Sequence, residues 1–441
     1  MPRRPARVRA PELRGRGGWI NTPPLTLAGL RGTVVLLDFW TSCCVNCLHV
    51  LAELRPVQER FGDALVTISV HSPKFPHEAE HEVVQAAVQR WGVSHPVLDD
   101  PDRETWDQYA VHAWPTLVVV DPAGSVAHVA TGEGHAGELA QVLAGLIGQP
   151  PRASAAAAPT PTGAGLRFPA GAARLPGGDV VVADAGHDSL AVLRGDHVVR
   201  RLGSGRLRAP QGLCVLGGGD LLVADTGSHR LLRLDPVRDE VTVVAGTGEQ
   251  WRPGDPLGGP ALQQRLASPW DVVRHDGEVV IAMAGTHQLW ALGDGVLRVL
   301  AGTGREGLRD GPAELALLAQ PSALAPGGAR LWFVDAETSA LRWLADGQVQ
   351  TAVGTGLFAF GHTDGVAGDA LLQHPLGVTV RPDGTVVVCD TYNGALRAYD
   401  PATGRVTTLA TGLVEPTAAL PDGAGLLVVE SAAHRTTRVA A

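Results

Sequence analysis

The sequence predicts an α/β sandwich followed, across a linker, by an all-β propeller of six blades. Three observations lead there: apolar runs alternate with helix-like segments as far as about residue 148, a low-complexity seam occupies 149–165, and beyond it one short-strand unit recurs six times. The length of 441 residues exceeds what one ordinary core organises. Gly and Pro together make 87 of those residues, which asks for many tight turns rather than long helices.

The first sixteen residues hold six Arg against one Glu, a charge of +5, so the other residues carry −14 of the net −9. Residues 1–17 are read as a disordered basic tail. The body is acidic, which argues against nucleic acid as a partner. No run of 18 apolar residues appears and no apolar stretch follows the N-terminal arginines, so neither a spanning helix nor a secretory leader is expected. A transit peptide is the competing reading of the arginines, but the stretch lacks Ser and an apolar face. Five Cys in 441 residues make no disulfide scaffold, and a reducing cytoplasm is the expected compartment.

In the segment 18–148, strands are expected at 33–39 (TVVLLDF), 64–70 (ALVTISV) and 116–120 (TLVVV), with helices around 48–61, 78–91 and 136–147. The seam QPPRASAAAAPTPTGAG (149–165) has a single charge and no periodic apolar face, and reads as an interdomain linker.

From 166 to 441 each repeat opens on a Pro: Pro169, Pro210, Pro269, Pro321, Pro375 and Pro416. Its second strand ends on Asp184, Asp225, Asp335, Asp390 or Glu430, with Met283 in the third repeat, always 14 or 15 residues after the Pro. Four-stranded units at this period are propeller blades. The acids are expected to cap backbone N–H groups at the turn, since single acids spread over five blades form no converging ligand set. His187, His229, His287 and His434 recur just after that turn and are expected on its surface. Three repeats carry related insertions that begin Gly-Thr-Gly, expected to share one rim. Ring closure is expected to need a strand from around Gly163–Phe168. Cys214 and Cys389 fall inside apolar strands and read as buried thiols.

The chemical signal is DFWTSCCVNCLHV, residues 38–50. Cys44 and Cys47 stand in C-x-x-C spacing after a strand and at the start of a helix, where the dipole end and free N–H groups favour an anionic sulfur. One turn apart, the pair can attack a disulfide through Cys44 and resolve the mixed disulfide through Cys47. Half a zinc site is the competing reading, but it requires a second pair and the other cysteines are single and distant. No metal and no cofactor are expected, and His49 is read as a helix-surface residue.

These residues resemble the thioredoxin-like proteins over about 18–148. By that resemblance Asp38 is the buried acid that moves the proton of Cys47, Phe39 and Trp40 form the lead-in to the active site, and Trp114-Pro115-Thr116 is the cis-proline loop that lies against the cysteine pair and exposes backbone for a substrate strand. Three departures stand out: Cys43 occupies the usual Trp position, Val45-Asn46 replaces Gly-Pro, and Ala52 stands where a helix proline is common, with Pro56 one turn later. Cys43 is either an accessory resolving thiol or a packed bystander, because bonding to adjacent Cys44 would be strained. The strings VADTGSHRLLRLD (223–235), VVCDTYNGALRAYD (387–400) and VVADAGHDSLAVL (181–193) resemble NHL repeats. The expected fold class is therefore an α/β thioredoxin-like fold followed by an all-β six-bladed propeller. Together with VHSPKFPHE (70–78), SHPVLDD (94–100), AWPTLVVVD (113–121) and GEGH (132–135), these strings resemble the NHL repeat-containing protein 2 family, in a short, bacterial-type form. Lys74, the only lysine, lies in one of these strings and is read as an active-site rim residue or a solvated loop lysine.

The reading that follows is a cytoplasmic thiol–disulfide oxidoreductase whose propeller docks or positions a protein client, with an unidentified thiol electron donor and no role for nucleic acid or membrane. Two alternatives stand beside it. One is a redox-inactive interaction scaffold. The other is a thiol peroxidase, supported by Thr41 three residues before Cys44 and opposed by Leu37 at the position where a proline is expected.

Overall fold

The computed structural model describes residues 8–148 and 163–440, which form two compact units, one on each side of the intervening segment.

The N-terminal unit is a six-stranded sheet with spatial order β1-β4-β3-β2-β5-β6. Its strands are β1 (Gly18–Ile20), β2 (Val34–Trp40), β3 (Leu65–His71), β4 (Val97–Asp99), β5 (Thr116–Val120) and β6 (Val126–Thr131), and its helices are α1 (Val45–Phe61), α2 (His81–Arg90), α3 (Glu104–Gln108) and α4 (Ala136–Ile147). β2, β3 and β4 run parallel, β5 returns antiparallel to β2, and β6 pairs antiparallel with β5. β2 reads as an unbroken apolar run because both of its faces are covered. Val35, Leu37 and Phe39 pack on one side with Ile68, Val118 and Trp106. Val34 and Leu36 pack on the other, against Val50, Leu54 and Val57 of α1 and Leu139 and Leu143 of α4. The pleat's alternation then places Asp38 and Trp40 on the α1 side, behind the cysteines. The short β1, β4, β6 and α3 carried too little apolar pattern to be expected.

The basic tail is corrected from residue 8 onward. Arg9 bridges Ser125, Ala10 and Leu13 are buried, and the Glu12 carboxylate accepts the N–H groups of Leu27 and Ala28, each at 2.8 Å. Among the arginines that suggested a solvated end, Ala10 and Leu13 turn into the core while Val8 stays exposed. Residues 1–7 lie outside the described part.

The second unit is a six-bladed propeller. Each second strand ends at the expected residue, Asp184, Asp225, Met283, Asp335, Asp390 or Glu430. The Gly-Thr-Gly insertions lie on blades 3, 4 and 5, where Gly258–Pro260, Gly311–Pro312 and Gly365–Val366 add a fifth strand to the outer edge. That pairing covers edges that would otherwise stay open.

The acids act differently from the expectation. Rather than capping their own turn, they reach back to the segment before the blade's first strand, where Asp225 accepts Arg208 N at 2.6 Å, Asp335 accepts Ala319 N at 2.7 Å, Asp390 accepts Gln373 N at 2.7 Å and Glu430 accepts Val414 N at 2.7 Å. In each case the donor is two residues before the opening Pro.

Of the recurring histidines, His434 is exposed as expected, His187 and His229 are part-buried and His287 is buried; His187 Nδ1 pairs with Asp184 Oδ2 at 2.9 Å, and the other three bond across blades. His229 Nδ1 accepts Ser268 N and His287 Nδ1 accepts Gln320 N, both at 3.0 Å, so each blade holds the residue just before the next blade's Pro. Asp188 and Ser339 fill the same position, accepting Ala209 N at 2.8 Å and His374 N at 3.1 Å. The residue held lies at positive φ in each of these four links, from 42° at Ala209 to 63° at Gln320, a backbone that needs such a latch.

The ring closes by the same device. His434 Nδ1 of blade 6 accepts Phe168 N of blade 1 at 3.0 Å, and the two rings meet edge to face at 4.5 Å. Gly163–Phe168 forms no strand, and among the described residues blade 6 has three strands. Because the blade-to-blade bond is already complete at His434, closure needs no strand from Gly163–Phe168. The expected linker lies outside the described residues apart from 163–165, where the carbonyls of Gly163 and Gly165 accept from Arg201 and so belong to the propeller.

Candidate functional site

Cys44 is the N-cap of the 17-residue helix α1, and its sulfur accepts the N–H of Cys47 at 3.3 Å. The cap thus brings the two sulfurs of the C-x-x-C onto one turn, with Cys44 half-buried and Cys47 fully buried. No disulfide is formed by any of the five cysteines. Burial, reinforced by the contact with Cys44, pushes the Cys47 thiol well above its ordinary range.

Asp38 is wholly buried and its charge couples to Cys47. Its Oδ2 accepts the Ser69 hydroxyl at 3.0 Å, and its Oδ1 has no hydrogen-bond partner among the described residues. Desolvation raises the carboxyl to about 7 against the opposing bond from Ser69. A carboxyl titrating there can accept a proton at neutral pH and give it back.

Trp40 and Trp114 share one apolar cluster with Cys44, Cys47 and Leu51. Trp40 lies edge-on to His71 at 5.1 Å, while Trp114 stacks on Trp106 at 4.4 Å and its Nε1 donates to Ser72 O at 2.9 Å. The Trp114–Pro115 peptide is cis and Pro115 is buried. Asp38, Trp40, Cys44 and Cys47 are therefore gathered on one side of the sheet, Trp114 packs against both this cluster and the Trp106 side, and Cys43 lies buried beside Thr41, with Sγ at 3.8 Å from its hydroxyl oxygen.

Glu78 was missed, although it sits in one of the strings carrying the family resemblance. On the single turn Pro76–Ala79 and fully buried, it accepts the Thr41 hydroxyl and the Ser42 hydroxyl at 2.7 Å and the Cys43 N–H at 2.9 Å on one oxygen. Its other oxygen accepts the N–H groups of Lys74 and Phe75 at 3.1 and 3.2 Å. One carboxylate thereby fixes the loop that delivers the cysteines. The signal was an acid in a Pro-bounded turn, indistinguishable in sequence from a solvated one. The Thr41 hydroxyl that suggested a peroxidase is turned to Glu78. Lys74 extends over the Phe75 ring at 5.2 Å.

The surface placement of His49 is corrected: it is buried, with Nδ1 2.5 Å from Glu133 Oε2. Gly134 N donates to Glu53 at 3.1 Å. The GEGH string thus clamps α1 from the far side, a role that one sequence cannot display because the partners are some eighty residues apart. In the propeller Cys214 is only partly buried, and burial pushes its thiol up to about 12, while Cys389 is wholly buried and is pushed higher for the same reason.

A thioredoxin-like family profile matches residues 32–126, and an NHL-repeat profile matches residues 207–234. The chain is 35% identical over 446 residues to "Protein SUPPRESSOR OF QUENCHING 1, chloroplastic" of Arabidopsis thaliana, covering 91% of this chain and 42% of that protein. It is 34% identical over 476 residues to NHL repeat-containing protein 2 of Gallus gallus, covering 93% of this chain and 64% of the relative. The N-terminal unit alone is 30% identical over 115 residues to thiol-disulfide oxidoreductase ResA of Bacillus subtilis, 25% of this chain and 60% of that one. The chain thus spans about two-fifths to two-thirds of the length of these relatives. With a Cys-x-x-Cys pair on its α/β unit, latched blades in its propeller and matches of both kinds, the chain is a homologue of NHL repeat-containing protein 2, at 34% identity over about nine tenths of its length.

Proposed function

We propose that the protein is a thiol–disulfide oxidoreductase of the thioredoxin type that acts in the cytoplasm on a protein client positioned by the propeller. The observation that carries the reading is a half-buried Cys44 at a helix N-cap, with Cys47 one turn inside and the ionisable Asp38 behind it. The resemblance of the N-terminal unit to a protein named as a thiol-disulfide oxidoreductase supports it.

The chemistry follows from the burial gradient. The Cys44 thiolate attacks a client disulfide, whose S–S bond breaks as a Cys44–client bond forms, and the departing client sulfur takes a proton from water. Cys47 is a thiol at rest, so Asp38 must remove its proton before it attacks the Cys44 sulfur. That second exchange frees the other client thiol and leaves a Cys44–Cys47 disulfide, two electrons having passed to the client. A thiol donor returns them. Cys43, packed beside Thr41, is a bystander in this scheme, and Trp40 and Trp114 form the apolar wall around the pair.

Cys47→Ser protein is expected to hold its client on Cys44 as a mixed disulfide. Diagonal electrophoresis of cell extract, with and without reductant, checks this. Capture that persists in the Cys44→Ser/Cys47→Ser protein would mean that the partner is bound by a scaffold and not by the thiol.

A further inference from the structure

We propose that Ser69 and His95 form the line through which Asp38 exchanges its proton with solvent in each catalytic cycle. This rests on the oxidoreductase reading and adds to it a route and two residues. Asp38 takes a proton from Cys47 as the mixed disulfide is resolved, and Cys47 needs one back when a thiol donor reduces the pair. Asp38 is fully buried, and so is Ser69, which donates to it. Without a conducting line the acid could return its proton only to Cys47 and could not equilibrate with solvent between the two half-reactions.

A line is present. Ser69 Oγ is 3.0 Å from Asp38 Oδ2 and 2.7 Å from His95 Nε2, and His95 Nδ1 is 3.1 Å from Gln58 Nε2 on α1. His95 and Gln58 are both partly exposed, so the chain of contacts runs from the buried acid toward the surface. The donors impose one direction. An amide nitrogen only donates, so Nδ1 accepts and Nε2 carries the hydrogen; Ser69 Oγ accepts that hydrogen and gives its own to Asp38. This is the arrangement that delivers a proton inward: one enters at Nδ1 as Nε2–H moves to Ser69 and the Ser69 hydrogen moves to Asp38.

Release runs the line in reverse. Gln58 turns its amide to present oxygen, the ring carries its hydrogen on Nδ1, and the Asp38 proton passes through Ser69 to Nε2 as Nδ1–H is lost to water. No electron moves. One proton leaves at His95 after Cys47 is deprotonated, and one returns inward along the same line and through Asp38 to Cys47 when a thiol donor reduces the disulfide, so the cycle closes.

The backbone keeps the line in register. Ser69 N donates to Pro96 O at 3.0 Å, and the Asn21 amide holds the carbonyls of Val93 and His95 at 2.9 and 3.1 Å. The ionisable groups facing the line are Cys47 toward Asp38 and Arg55 of α1 toward His95. Burial, then Arg55, lowers the His95 imidazole to about 4. The ring is therefore neutral at pH 7, as a tautomer switch requires, and protonated only in passing.

The test measures resolution of a mixed disulfide by acid-quenched flow, with full-length protein, bis(2-hydroxyethyl) disulfide as substrate and pH varied from 5.5 to 8.5. Ser69→Ala and His95→Gln are expected to resolve about tenfold more slowly at pH 7 and to accumulate the mixed disulfide, with the midpoint potential of the pair unchanged. His95→Ala is expected to be slowed likewise and to be rescued by added imidazole. Slowing that imidazole does not reverse, or a shifted potential, would mean that these residues only support the fold, and wild-type resolution in all three variants would overturn the relay while leaving the oxidoreductase reading intact. If the parent protein forms no Cys44–Cys47 disulfide with this substrate, the oxidoreductase reading falls and the relay with it.

Discussion

Asp38→Asn protein is expected to resolve a mixed disulfide about 10²-fold more slowly than the parent at pH 7, and yet to withstand more urea at pH 8. Both effects come from the same burial. The carboxyl titrates at about 7 because desolvation penalises its charged form. In the parent, resolution should speed up as pH rises through 7, where Asp38 becomes an available base; in the Asn variant that step in the profile disappears. Stability runs the other way. The folded protein keeps the Asp38 proton up to about 7 while an unfolded chain releases it near 3.8, so between these values the folded state binds more protons and stability falls as pH rises. Over about three pH units at about 1.4 kcal/mol each, the cost reaches roughly 4 kcal/mol as an upper bound. Asparagine carries no such cost. Urea midpoints at pH 5 and pH 8 check it: the variant's advantage should be small at pH 5 and larger at pH 8, and equal midpoints at pH 8 would mean that Asp38 is not desolvated.

Arg397→Met is expected to destabilise the propeller by about 3–5 kcal/mol. Arg397 and Asp390 are both buried, and the guanidinium donates to Asp390 at 2.7 Å, to Asp364 at 2.6 Å, and to the carbonyls of Leu371 and Thr363 at 3.0 and 2.7 Å. One side chain therefore ties the second strand of blade 5 to its inserted outer strand. Arg342 does the same in blade 4, with Asp335 and Asp310. Removing the cation leaves a carboxylate buried without its charge partner, and that imbalance costs more than the lost bonds. Asp390→Asn/Arg397→Met should therefore recover part of the loss. Blade 3 shows that a neutral version folds, since Met283 and Trp290 occupy these two positions and are fully buried. Guanidinium unfolding of the two variants checks the claim, and a single variant within 1 kcal/mol of the parent would contradict it.

What could be read from the sequence follows the range of each interaction. The six blades were legible because the Pro and the acid recur at a nearly fixed offset, and the C-x-x-C pair because its spacing is itself the helix turn that brings the sulfurs together. Asp38 could be placed through the resemblance of Asp38-Phe39-Trp40 to the thioredoxin-like lead-in, and not from the pattern of β2, which is buried on both faces. The acids' true partners were not legible, because Asp225 finds Arg208 N, 17 residues back, only once the blade's first two strands have paired. Closure through His434 and Phe168, 266 residues apart, was hidden for the same reason. A strand was expected there because edges must be covered, and the repeating histidine latch met that need by another bond. Glu78 and His95 escaped notice because an acid in a turn and a histidine before a proline look ordinary until their neighbours are known. Within the cluster of three cysteines, Cys44 and Cys47 share the first turn of α1 and Cys43, whose role spacing left open, lies buried beside Thr41.

The central claim is that Cys44 and Cys47 exchange electrons as a couple. Equilibrating the full-length protein across a series of reduced and oxidised glutathione buffers, then alkylating and weighing its cysteine peptides, tests it most directly. The account predicts one two-electron transition in which Cys44 and Cys47 lose reactivity together and reversibly, with Cys43, Cys214 and Cys389 remaining thiols throughout. Full alkylation of Cys44 and Cys47 at every potential, or a disulfide that takes in Cys43 instead of Cys47, would contradict it.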